Sequence, residues 1–209
     1  MEKLKVFICA FDDKQFSHIP DRDFLEKVNI SKLNIGEYQS NQFCEHRIYF
    51  SDLPEQADAE YVGFLTWRWE KYENLLPQTR LLELDLSSNK VYCARMAHGW
   101  YDVTINHHIG MQKYLEEMSQ YTGLPLGGVG FWANNFICHK SVYLDFQKLF
   151  RDACGHFHRK YGFDYDYYIC EEHLPRKSGA FYERISLMYF ANRKDLELRN
   201  IPINTTWES

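Results

Sequence analysis

Ala59-Glu60-Tyr61-Val62-Gly63-Phe64-Leu65-Thr66-Trp67-Arg68-Trp69 is the stretch on which the fold turns. From Tyr61 to Leu65 the run is β-branched and aromatic without a break, and it follows the acidic segment 55–60. That pattern reads as a central strand buried on both faces. Gly63 inside it marks a place where another backbone or a ligand comes close. Apolarity stops at Thr66, and Trp67-Arg68-Trp69 then sets a cation between two large rings at the strand terminus. Open α/β sheets bind their ligands at that end of a strand. The same triplet also suits a surface cation–π cluster, and the residues alone support both readings.

Working outward, Val6-Phe7-Ile8-Cys9-Ala10-Phe11 is equally continuous and stops at Asp12-Asp13, as a strand of a covered parallel sheet does. Residues 19–28 read as a short polar helix and 29–37 as a loop. Ser40 is placed to cap a helix over 41–53, with Phe43, Cys44, Ile48 and Phe50 on its sheet-facing stripe. Beyond the central stretch come a turn at 72–77, a Leu-alternating strand at 80–86 and a strand at 90–96. Residues 105–118 predict an amphipathic helix closed by Gly123, 126–130 a glycine-rich connector, and 131–138 a buried strand. Ser141 heads the clearest helix, in which Val142, Phe146, Leu149, Phe150, Ala153 and Phe157 recur until Gly162 ends it. A helix at 179–192, a closing strand near 196–201 and a loose tail at 204–209 complete the chain. This alternation predicts an α/β fold: one compact Rossmann-like domain with a mostly parallel central sheet flanked by helices.

A chain of 209 residues fits a single domain, able to bury roughly 70% of its unfolded surface without a disulfide or metal. The net charge of −5 and the scatter of its basic residues disfavour duplex DNA as a partner, while leaving room for a local patch. Six cysteines, none at C-x-x-C spacing and some inside apolar runs, read as buried free thiols of a reducing compartment. The N-terminus enters a strand directly, with no signal-peptide core, and no apolar run approaches the ~20 residues a membrane span needs. The expectation is a cytoplasmic protein with no transmembrane segment.

Paired carboxylates are the first candidate chemistry. Asp164 and Asp166 form a D-x-D in Phe163-Asp164-Tyr165-Asp166-Tyr167-Tyr168. Two hard oxygen donors on one face suit Mg²⁺ or Mn²⁺ against a diphosphate, and a solvated strand face is the plainer account. Glu83 and Asp85 share a face in the same way if 80–86 is a strand. His98, Asp102, His107 and His108 crowd a short region and suit Zn²⁺ or a base, yet they match no standard zinc spacing and read better as surface or capping groups. His156 and His158 read as solvated. The glycines of 126–130 form neither G-x-G-x-x-G nor a P-loop, and no G-x-S-x-G elbow exists.

Three segments, in order, resemble a bacterial glycosyltransferase-like family of capsular and lipopolysaccharide gene clusters, described as a domain of unknown function. Asn41-Gln42-Phe43-Cys44-Glu45, followed by the 59–69 stretch, is similar to the family's Asn-x-x-Tyr-Cys-Glu-Leu and Tyr-Ile-Gly-Leu-x-His-Tyr-Arg-Arg segments. Trp132-Ala133-Asn134-Asn135-Phe136-Ile137-Cys138-His139-Lys140 is similar to its Asn-x-Phe-Ile segment, and Gly179-Ala180-Phe181-Tyr182-Glu183-Arg184-Ile185 to its Gly-x-x-x-Glu-Arg segment. Leu75-Leu76-Pro77-Gln78-Thr79-Arg80 resembles a further short segment. The resemblance implies a GT-A-type fold that takes a sugar from a nucleotide-sugar donor to a hydroxyl acceptor. It implies that Arg68 contacts the donor diphosphate and Glu183 is the base or sugar-orienting carboxylate, with Arg184 its partner or a second phosphate contact. Asn41, Glu45, Trp67, Arg80 and Asn135 would line the donor, with Mg²⁺ or Mn²⁺ at Asp164 and Asp166. The acceptor would be a glycan or, for a phage protein, a modified DNA base.

Where the family carries His-Tyr-Arg-Arg, this chain has Thr66-Trp67-Arg68-Trp69. That departure supports an alternative: a non-catalytic sugar- or nucleotide-binding module on a degenerate transferase fold. Metal-dependent hydrolysis through His98, Asp102 and His107 is a third reading.

Overall fold

A computed structural model describes residues 2–17, 19, 21–38, 41–67, 78–108, 110–132, 135–162 and 177–201, with the backbone alone at residues 2, 41–45, 78–79 and 177–180. Its strands are Glu2–Ala10 (β1), Leu25–Asn29 (β2), Ala59–Thr66 (β3), Lys90–Cys93 (β4), Met96–His98 (β5), Val129–Phe131 (β6), Phe136–His139 (β7) and Glu197–Asn200 (β8). The helices are the single turn Leu53–Gln56 (α1), Trp100–His107 (α2), Gln112–Thr122 (α3), Lys140–Tyr161 (α4) and Lys177–Ala191 (α5). Six strands form a mixed, mostly parallel sheet in the order β2-β1-β3-β7-β4-β8, in which only β7 runs against its neighbours.

The two uninterrupted apolar runs lie side by side at the middle of this sheet, paired in parallel from Glu2↔Ala59 to Cys9↔Thr66. Both faces are covered. Phe7, Val62, Phe64 and Cys138 point into a core shared with α4, α5 and the 3-10 helix Asn41–Phe50, while Leu4, Val6, Ile8, Leu65 and Ile137 meet Phe16, Ile19, Leu81 and Leu84 on the other side. The chain's large aromatic share goes chiefly into the first core. Tyr49 alone lies 5.6 Å from Phe64, 5.1 Å from Phe146 and 5.0 Å from Phe150, centroid to centroid, all three edge-to-face as ring quadrupoles prefer.

Gly63 is explained by packing and not by a ligand. A Cβ there would stand 2.9 Å from Ile137 Cγ1 and 3.1 Å from Val6 Cγ2, so the flanking strands occupy the space. β4 and β7 continue past the sheet edge as a bent ribbon, β5 against β6, with Met96 opposite Phe131. Gly130 lets that ribbon lie on α5, since a Cβ there would be 2.8 Å from Leu187 Cδ2 and 3.0 Å from the Leu187 carbonyl. The glycine-rich 126–130 segment is therefore a packed approach rather than a loose connector.

Several elements differ from expectation. Residues 25–29 are the strand β2, not helix. Residues 41–50 are 3-10 throughout, and 78–83 form a 3-10 helix where a strand was expected. Glu83 and Asp85 consequently share no strand face; Glu83 pairs with Arg80 and Asp85 with Lys90. The 105–118 helix is two helices, broken around Gly110 at φ +90°. α4 begins at Lys140, and its cap is His139, whose Nδ1 accepts from the Ser141 N–H at 3.2 Å. His156 is not solvated: its Nε2 lies 2.9 Å from Glu117 and its ring stacks on Tyr121 at 4.1 Å. His158 is half-buried beside Tyr38. Cys9, Cys93, Cys138 and Cys154 are free and buried, as expected, and burial pushes the Cys93 thiol up to about 12. No helix among the described residues is long and apolar enough to cross a membrane.

Candidate functional site

The chain leaves β1 toward β2 on one side and leaves β3 toward the strands on the other, so the sheet's connections diverge between the carboxyl ends of β1 and β3. Ligands of open α/β sheets occupy such a switch point. Trp67 stands there, its N–H bonded to the Cys9 carbonyl at 3.1 Å and its half-buried side chain packed against the second core. Beside it, the Phe11 N–H donates to Gln15 Oε1 and the Phe11 carbonyl accepts from Ser31 Oγ, both at 2.8 Å. The Phe11 ring remains 40% exposed, an apolar plate on a pinned backbone. Asp12 and Asp13 next to it are already engaged: Asp12 caps the following turn, and Asp13 binds Asn29 and Lys32, which hold its carboxyl below the usual range.

Asn135 closes the sheet on this edge. It is buried, its Oδ1 accepts the Thr66 N–H at 2.7 Å, and its own carbonyl accepts the Ala94 N–H at 2.9 Å. It thus replaces one rung of ladder on each side just where β7 begins, and beyond it the ribbon bends away. The Trp132 N–H donates to the Arg95 carbonyl at 2.8 Å across that bend. Over the Trp132 ring, 4.7 Å from its centroid, lies the guanidinium of Arg184.

Arg184 is nearly fully buried on α5. Its Nε donates to Thr104 Oγ1 at 2.9 Å, and its Nη1 forms an ion pair with Glu183. Burial draws Arg184 below the usual guanidinium value, and the Glu183 carboxylate works against that shift. The Glu183 side chain keeps 20% of its surface exposed, so it is the wetter end of a buried pair. His108 is half-buried nearby and is lowered by burial and by the charges of Arg184 and His107.

Of the residues singled out in the sequence, Asn135, Glu183 and Arg184 thus lie along one path, with Asn135 bonded to Ala94, the next residue Arg95 to Trp132, and Trp132 against Arg184; Trp67 is one residue beyond Thr66, the partner of Asn135 on β3. The helix bearing Asn41 and Glu45 packs against α5, with His46 and Tyr182 rings 6.1 Å apart, but the side chains of Asn41 and Glu45 are outside the description. Arg80 is exposed and sits 3.0 Å from Glu83. Arg68, Asp164 and Asp166 lie outside the described residues. Among those described, no three His, Cys, Asp or Glu side chains come together to hold a metal, the His98–Asp102–His107 set included. Phe11, Arg95, Thr104 and Trp132 had not been singled out as site residues, because only tertiary pairing brings them to this edge. A separate surface cleft of about 290 Å³ is lined by Glu55, Leu144, Gln147, Lys148, Arg151 and Asp152. Its cations are occupied, Lys148 by Asp152 and Arg151 by the Ser51 carbonyl and Asp52.

Neither a protein-family model nor a curated protein matches the chain. Among solved structures it is similar to the apo form of WbbM, a bifunctional glycosyltransferase, with a TM-score of 0.56 and 12% identity. The likeness covers 95% of this chain and 44% of the WbbM chain, so this chain spans less than half of that protein. At such identity the likeness is one of architecture: the chain has a glycosyltransferase-like α/β fold.

Proposed function

We propose that this chain binds a nucleotide-sugar at the carboxyl edge of its sheet and transfers the sugar to an acceptor hydroxyl, on a GT-A-type fold akin to the capsular and lipopolysaccharide family it resembles. One observation carries the reading: on a glycosyltransferase-like sheet, Asn135 is bonded to the tip of β3, and a path through Ala94 and its neighbour Arg95 leads from it to Trp132, Arg184 and Glu183. Phe11 offers a fixed, exposed ring on which a nucleobase stacks. Arg68, one residue past Trp67, meets the diphosphate, where a planar guanidinium suits paired oxygens. Glu183 takes the acceptor proton as the new glycosidic bond forms and the nucleoside diphosphate departs. Asn41 and Glu45 line the donor with Trp67. Mg²⁺ or Mn²⁺ at Asp164 and Asp166 belongs to the same proposal; it predicts nucleotide affinity that depends on the ion and is lost in Asp164→Asn. The acceptor is a glycan or another hydroxylated molecule.

A non-catalytic binding module is the second reading, and a specific observation favours it. Glu183 is committed to an ion pair with Arg184, which occupies a carboxylate oxygen that proton transfer from an acceptor would need. Thermal unfolding with UDP, GDP, CDP and ADP, each with and without Mn²⁺, tests the shared premise. A ligand at 100 times its Kd stabilises by about 2.7 kcal/mol, a shift of several degrees. A shift with turnover of the matching nucleotide-sugar supports the transferase, and a shift without turnover supports the binding module. No shift with any nucleotide rejects both.

A further inference from the structure

Among the described residues, Arg184 meets three partners by contacts of different kinds. Its Nε–H meets Thr104 Oγ1 at 2.9 Å, its π-face lies 4.7 Å from the Trp132 centroid, and its Nη1 meets Glu183. Thr104 is itself fully buried, and its hydroxyl proton is given to the Trp100 carbonyl at 2.7 Å. A hydroxyl that donates in a fixed direction presents its lone pairs in a fixed direction too. The α2 backbone therefore sets the Thr104 hydroxyl, that hydroxyl sets the guanidinium plane, and the plane is clamped from one side by indole. Trp132 is anchored in turn by its N–H on the Arg95 carbonyl at 2.8 Å.

We propose that Thr104 and Trp132 are positioning residues: they fix the orientation of Arg184 and, through its ion pair, the direction in which the partly exposed Glu183 carboxylate points. The role in transfer rests on the function proposed above; the fixing of Arg184 does not. A guanidinium free to swing would carry Glu183 with it, and misplacement of a reacting group by about 1 Å costs on the order of 10²-fold in rate.

The test compares the 209-residue chain with Thr104→Val, which keeps shape and loses the hydroxyl, and Thr104→Ser, which keeps the hydroxyl. The Arg184 Nε–Hε resonance, read by ¹⁵N NMR, is expected to be resolved and slow to exchange in wild type and Thr104→Ser, and to exchange with solvent in Thr104→Val. A wild-type Arg184 Hε that exchanges at the rate of exposed arginines overturns the proposal, as does a Thr104→Val signal as protected as wild type. With the nucleotide-sugar that wild type turns over, Thr104→Val is expected to lower kcat at least tenfold with the donor KM within threefold, and Thr104→Ser to restore kcat. Equal kcat in all three proteins overturns the part played in transfer. A wild type that neither binds nucleotide nor turns over rejects the underlying function instead, and the NMR comparison still decides whether Thr104 fixes Arg184.

Discussion

The Glu183–Arg184 pair shows how one residue's chemistry depends on its neighbour's burial. A guanidinium taken out of water needs its donors satisfied, and Thr104, Glu183 and the Trp132 face supply that. Glu183 is the member that still reaches water, which is why the proposed transfer gives it, and not Arg184, the acceptor's proton. Glu183→Gln keeps the shape and a hydrogen-bonding oxygen for Arg184 while removing the base. A positioned base contributes about 10²–10⁴-fold, so turnover should fall by that factor with nucleotide affinity unchanged. Steady-state rates and calorimetry on the same preparations check it, and undiminished turnover removes Glu183 from the chemistry. Asn135 has a more committed role than its sequence suggests, because its Oδ1 is already occupied by the Thr66 N–H. The sequence marks it as polar within an apolar run; which partner it takes depends on a strand 69 residues away.

At the scale of elements, α3 and α4 are joined through Glu117, which receives His156 at 2.9 Å, Lys160 at 2.7 Å and the Tyr161 hydroxyl at 2.5 Å. Burial alone would raise this carboxyl, but the hydrogen bonds from Lys160, Tyr161 and His156 outweigh it and hold Glu117 below the usual carboxylate range. A depressed folded-state value means the stabilisation is complete above the unfolded pKa of about 4.3 and is lost as pH falls through the folded value. Glu117→Gln should therefore cost about 1–3 kcal/mol at pH 7, the scale of a charged hydrogen bond, with the gap closing toward pH 3. Denaturant melts of both proteins across that range decide it; a pH-independent gap would assign the cost to packing. None of these partners was legible beforehand, since residues on different helices carry no mark of who faces whom. Local periodicity misled for a related reason. Leu25 and Val28, three apart, imitate a helix while serving an edge strand paired with β1. In 80–86 the alternating leucines offered a strand period, but the burial of Leu81 and Leu84 follows the three-residue period of a 3-10 turn. Where apolarity is continuous, as in β1 and β3, or recurs at one helical spacing throughout, as in α4, no competing period exists and the element forms as the sequence predicts.

Across the whole molecule, the order of the strands decides both where stability is concentrated and where a ligand can act. β1, β3 and β7 are covered on both faces, whereas β8 is an exposed edge of four residues. Opening free energies scale with buried contacts, so amides of residues 6–9, 62–65 and 137–138 should exchange only on global unfolding and those of 197–200 through local fraying. The proposed site, by contrast, is where the ladder has just ended, with Thr66, Trp67 and Ala94 each donating one N–H across the carboxyl edge, to Asn135, Cys9 and Asn135 respectively. These are bonds that a nucleotide bound across the edge would protect, because it would tie the β5–β6 ribbon to the tip of β3. Hydrogen exchange with and without a saturating nucleoside diphosphate should therefore slow the amides of Thr66, Trp67 and Ala94 by tenfold or more beyond any uniform gain. Protection confined to the α4 cleft between Glu55 and Asp152 would instead move the binding site to the other side of the helix layer and detach it from Glu183 altogether.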